Sequence, residues 1–232
     1  MNVDAHLPLA LWRLHQCIGV GDRTDALSFD RPADAEPPAL LELLFEGGGF
    51  VEVAVETTAR RRRVTATRAR SLADSVGPGL ALLCVGLNPS VRAADAGVGF
   101  VTPGNRFWPG AMAAGIVSVD RDPLHALQHH RVGMTDLVKR ATPRADEISA
   151  AEYVHGMARL DLLCSLIEPA VVCFVGLSGW RAAVDRRATV GWQDRPVGGR
   201  PAFVIHNPSG LNAHVRVDDL ARQLTQAAAG PP

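Results

Sequence analysis

Two asparagines stand out as groups that could do chemistry. Asn88 lies in Gly-Leu-Asn-Pro-Ser (86–90) and Asn207 in His-Asn-Pro-Ser-Gly-Leu (206–211). Each follows an apolar run and precedes a proline. An asparagine amide donates and accepts without titrating. It can hold a water or read the polar edge of a ligand, and the proline behind it stiffens its presentation. Asn88 can equally close its own loop as an Asx-turn. Phe100 sits in Ala-Gly-Val-Gly-Phe, off any periodic apolar face. There it either stacks on a planar ring or anchors the loop in the core. Asp136, Lys139 and Arg140 crowd one Gly- and Thr-marked segment. Asp136 either orients or deprotonates a water, or is a surface carboxylate paired with Lys139 or Arg140, worth roughly 0–1 kcal/mol. Arg106 braces a loop or meets a phosphate. Leu211 ends the second asparagine loop, where a large apolar side chain needs a partner.

The elements that must position these groups can be read from hydropathy. Leu-Ala-Leu-Leu-Cys-Val-Gly (80–86), Ala-Val-Val-Cys-Phe-Val-Gly (170–176) and Pro-Ala-Phe-Val-Ile (201–205) are continuous apolar runs, as in strands covered on both faces. Helical stretches alternate with them. One is 105–116, with Asn105 as its cap and Pro109 in its first turn. Another opens on the Ser149/Glu152 capping box. The expected fold is an α/β three-layer sandwich with a mostly parallel central sheet. In such sheets ligands bind at the carboxyl ends of strands, and both Asn-Pro turns open on that edge. Residues 1–78 read as an N-terminal extension to a domain at 79–232. The extension holds a linker-like stretch at 29–38, then two alternating runs, 50–57 and 63–70, around the four arginines 60–63. Such runs predict a β-hairpin, either a cap on the main domain or a basic arm that touches phosphates.

Composition narrows the classes. The 232 residues carry 24 basic and 24 acidic side chains, unlike a strongly basic nucleic-acid binder. Lys139 is the single lysine. Cys17, Cys84, Cys164 and Cys173 form no C-x-x-C pair and read as buried hydrophobes in a reducing compartment, with no metal site or cofactor. No stretch approaches the ~20 apolar residues that span a bilayer. The expectation is a soluble, cytoplasmic monomer with no membrane partner.

Taken in order, Gly-Leu-Asn-Pro-Ser, Gly-Asn-Arg-Phe-Trp (104–108), Gly-Met-Thr-Asp-Leu-Val (133–138) and Asn-Pro-Ser-Gly-Leu (207–211) resemble the motifs of the mismatch-specific uracil/thymine DNA glycosylases. These are a branch of the uracil-DNA glycosylase superfamily, and the likeness covers about residues 76–225. It implies a bacterial, nucleoid-acting enzyme of base excision repair. Such an enzyme flips uracil, thymine or another deaminated base out of double-stranded DNA and hydrolyses its N-glycosidic bond. By the same resemblance Asn88 positions the attacking water, joined by Asp136. Ser90, Phe100 and Asn207 hold the base. Gly210, Leu211, Asn212, Lys139 and Arg140 contact DNA, with Leu211 filling the vacated stack. The pattern departs at Ser90, which replaces a glycine. It departs again at 212–214, where Asn-Ala-His replaces the Ser-Arg that helps many members read an opposite guanine. Two other readings stand beside it: a catalytically weak mismatch-binding protein of this fold, and a small-molecule binder in which Leu211 packs on the N-terminal segment.

Overall fold

A computed structural model describes residues 5–25, 27–30, 38–59, 61–212 and 214–232. Arg60, Ala213 and residues 31–37 of the linker-like stretch lie outside the described residues. The chain opens with α1 (Leu7–Cys17), β1 (Leu27–Asp30), α2 (Pro38–Gly47), β2 (Phe50–Thr57) and β3 (Arg61–Arg68). Strands β2 and β3 form the expected antiparallel hairpin, and β1 adds a third antiparallel strand beside β3.

The α/β part follows: β4 (Leu82–Gly86), α3 (Val91–Ala96), α4 (Phe107–Ala113), α5 (Pro123–His130), β5 (Val132–Asp136), a 3₁₀ turn (Ala145–Glu147), α6 (Ala150–Ile167), β6 (Val171–Val175), α7 (Leu177–Ala183), β7 (Gly191–Val197), β8 (Arg200–Ile205) and α8 (Val217–Ala229). The central sheet runs β5-β4-β6-β8-β7. All pairings are parallel except that of the edge strand β7 with β8. The three apolar runs read from sequence are β4, β6 and β8. Val132–Asp136, marked in the sequence by its Gly and Thr, is a fully buried strand, β5. A side chain at Gly133 would meet Leu80 Cδ1 at 2.5 Å, so the residue that hides the strand in the sequence is what lets it pack.

Strand alternation splits the core into two layers. Leu82, Cys84, Cys173, Phe203 and Ile205 face Phe107 and Trp108 of α4, Ala126 of α5, and Leu220 and Leu224 of α8. Leu83, Val85, Val172, Phe174 and Val204 face Leu160, Leu163 and Ile167 of α6 and Trp180 of α7. The second layer is continuous with Leu11, Leu41, Phe45, Phe50 and Val64 of the N-terminal segment. Ser149 and Glu152 form the capping box that starts α6, and Pro109 lies in the first turn of α4. Among the described residues no helix is long and apolar enough to cross a membrane.

Candidate active site

A cleft of about 250 Å³ opens at the carboxyl ends of β4, β6 and β8. Asn88, Ser90, Phe100, Asn105 and Asn207 all line it. The two Asn-Pro turns therefore share one rim, as strand polarity required. At Asn88 the side-chain nitrogen donates to the carbonyls of Pro89 (3.2 Å) and Arg140 (3.1 Å) and to Thr142 Oγ1 (2.8 Å). Carbonyls only accept, so these partners fix which end of the amide is nitrogen. Oδ1 is left without a protein donor among the described residues, as an acceptor fit for a water. Besides the bond to its own Pro89, the turn is braced by the neighbouring segment 140–142: Thr142 N–H donates to Pro89 O at 3.1 Å, and Thr142 Oγ1 in turn donates to Arg144 O at 2.7 Å.

Phe100 takes a left-handed backbone, φ 60°. That conformation is costly for a non-glycine residue and clusters at functional sites. Its ring stacks on buried Phe107, with centroids 4.1 Å apart and planes 28° from parallel, while it also borders the cleft. The loop-anchor reading of Phe100 is thus the observed one, and the residue also lines the cleft. Ser90 caps α3, its Oγ accepting from Ala93 N at 3.1 Å.

The second turn is a self-bonded loop. Asn207 Oδ1 accepts from Ser209 N at 3.0 Å, and Asn212 Nδ2 donates to Asn207 O at 3.2 Å. The Asn207 amide nitrogen has no partner among the described residues and can donate. Arg106 braces this loop, with Nη1 donating to the carbonyls of Ser209 (3.0 Å) and Asn212 (3.1 Å). At the tip, Leu211 is 97% exposed. It does not pack on the described residues of the N-terminal segment.

The Uracil DNA glycosylase superfamily model matches residues 74–227, which contain every residue of the cleft. The chain belongs to the uracil DNA glycosylase superfamily. It is also similar to a solution NMR structure of a candidate uracil DNA glycosylase from Methanosarcina acetivorans, at 19% identity and TM-score 0.49, over 69% of this chain and 98% of that one.

Not every predicted residue of this superfamily member reaches the cleft. Asp136, at the end of β5, sits one layer behind it. A side chain at Gly86 would collide with Asp136 Oδ1 and touch Phe100. With Trp12, Leu72 and Phe100, Asp136 borders a separate pocket of about 20 Å³, roughly room for one water. Its carboxyl pairs with neither Lys139 nor Arg140, so the surface ion pair expected as the alternative is absent. Burial pushes it up to about 6; Asp74 adds to the rise, while Lys139 and Arg159 oppose it. Lys139 is itself buried. Its ammonium donates to Asp74 (2.6 Å) and Leu72 O (2.5 Å), so it is not presented to a DNA surface. Arg140 is exposed and engaged by Glu152 at 2.7 Å.

The charged centre around Asp74 was not foreseen. Asp74 accepts from Lys139, from Arg159 Nη1 (2.8 Å) and from Thr135 Oγ1 (2.5 Å). Arg159 Nη2 donates to Asp136 O at 2.6 Å, which ties the network to the end of β5. Burial alone would push the Asp74 carboxyl up; the Arg159 and Lys139 charges, with the hydrogen bonds, hold it below the usual range. Thr142 and Ser178 of the cleft wall were missed too. Thr142 lies in a loop and Ser178 in the first turn of α7, and a single small polar residue carries no periodic signal.

Proposed function

We propose that the protein is a monofunctional DNA glycosylase that everts uracil, or a mismatched base such as thymine, from duplex DNA and cuts its N-glycosidic bond. One observation carries the reading: a fully exposed leucine stands at the tip of a braced loop on the rim of an asparagine-lined cleft. An exposed leucine contributes nothing to the free protein. Set into a base stack it fills the gap left by the flipped nucleotide and offsets part of the few kcal/mol of unstacking. In the cleft, Phe100 supports the face of the base, and the Asn207 amide donates to a base carbonyl. Water held by Asn88 Oδ1 adds to C1′ as the base departs with the bond's electron pair, and the proton the water loses passes through solvent to the departed base. Donors toward the base carbonyls stabilise its charge. Asp136 acts at range, its carboxylate favouring positive charge on the sugar. The single lysine is buried and ion-paired, which supports water rather than a lysine amine as nucleophile.

The test is a labelled duplex with one uracil, incubated with the protein and then with hot alkali. Strand cleavage is the expected outcome. Cleavage before alkali would contradict monofunctional chemistry. Retarded migration without cleavage would leave a mismatch-binding protein.

A further inference from the structure

We propose that Arg106 is the positioning residue of the wedge, holding the 207–212 loop in its inserting shape before DNA arrives and so setting activity on paired over unpaired bases. This rests on the glycosylase reading above. A residue 97% exposed lends its loop no packing. Most of the bonds that shape the loop are internal: Asn207 with Ser209, Ser209 Oγ with Leu211 N (3.3 Å), and Asn212 with Asn207 and Ser209. They curl the segment but do not fasten it to the body.

Among the described residues, the hydrogen bonds that fasten the loop to the body come from one residue. Arg106 Nη1 donates to Ser209 O and Asn212 O, and its backbone N–H donates to Pro208 O at 2.9 Å. Beside it the backbones of Gly104 and Gly210 nearly touch. A side chain at Gly210 would lie 3.0 Å from Gly104 O. Three carbonyls of the loop thus converge on one residue about 100 positions away in sequence. The next residue, Phe107, is fully buried and stacks on Phe100. Adjacent positions 106 and 107 therefore hold the wedge loop and the base platform, and the single peptide bond between them links the two anchors. A loop ordered in advance avoids the entropy of ordering on binding.

The experiment compares single-turnover excision of uracil from a duplex and from the same strand unpaired. The proteins are wild type, Arg106→Met, Arg106→Lys, Leu211→Ala and the double variant Arg106→Met/Leu211→Ala. Arg106→Met is expected to lose about tenfold or more on the duplex, from lost charge-assisted bonds, and to stay within about twofold on the single strand. Arg106→Lys recovers part, because its ammonium keeps the charge and several donors but sits on a more flexible stem of shorter reach. The double variant is no worse than Leu211→Ala, since Arg106 acts through that residue. Amide hydrogen exchange at Asn212, whose N–H donates to Ser209 O, should quicken in Arg106→Met. Equal loss on both substrates, additive losses, unchanged exchange, or a salt slope lowered by about one phosphate contact would each overturn the proposal. Should wild type cut neither substrate, the glycosylase reading fails, and the exchange measurement alone decides the brace.

Discussion

Asn88 is held by its nitrogen and left open at its oxygen. Three acceptors converge on Nδ2, so rotating the amide would set oxygen against carbonyl oxygens. Asn88→Ala should therefore lower single-turnover excision by about 10²-fold or more, with duplex binding by gel shift unchanged. Loss of binding would make the residue structural. Asp136 carries the opposite tension. Its folded value is about 6, against about 3.9 for an unperturbed aspartate. The protonated form is thus favoured by folding. That stability is complete below about 4 and is lost as pH rises through 6. Asp136→Asn should then raise stability at pH 8 by roughly 2–3 kcal/mol, with little gain near pH 4, and should abolish an acid limb near pH 6 in excision. Urea unfolding at the two pH values and a pH–rate profile check both halves. Phe100 and Leu211 were legible because each is an odd residue type for a loop, and Asn88 because a second Asn-Pro turn follows another apolar run on the same edge. Burial of Lys139 was not, because nothing local in the sequence marks a lysine as interior.

At the scale of elements, the end of β5 is fixed by charges brought from elsewhere. Asp74 precedes β4, Arg159 comes from α6, and Lys139 follows β5. The side chains of Asp74 and Arg159 are each only 2% exposed. Breaking one partner of a buried network strands charge, at a cost of about 3–5 kcal/mol. Arg159→Met should destabilise the protein by that order in urea unfolding. Arg140→Ala, which breaks the exposed pair with Glu152 and a hydrogen bond to Glu147 O, should change stability by less than about 1 kcal/mol. Similar losses in the two variants would show that the buried network carries no special weight. Strands β4, β6 and β8 were readable from their apolar runs. Strand β5 was not, since Gly133 and Thr135 break the run where neighbours crowd it.

The whole molecule shares one apolar layer between the N-terminal segment and the sheet, with Phe45, Phe50 and Val64 in the same cluster as Leu83, Val85 and Leu160. The superfamily match begins at residue 74, so most of that segment lies outside it. Trp12 nonetheless borders the small pocket beside Asp136. We expect the full chain to unfold in one cooperative transition, and a fragment of residues 79–232 to bind ANS and lack a sharp transition. A fragment that melts sharply and excises uracil at the full rate would make the segment a dispensable cap.

The sequence by itself determined the layered α/β class, the common edge for two asparagine turns and the identity of the exposed leucine. Strand periodicity and loop residue types are local properties, written in short stretches. Tertiary structure alone decided which atoms of those residues face the cleft, that Lys139 is interior, that Asp136 stands behind the wall, and that Arg106 grips a loop about 100 residues away. Each of these depends on side chains distant in the chain meeting in a low-dielectric interior. There the partner, not the residue type, sets charge, orientation and reach.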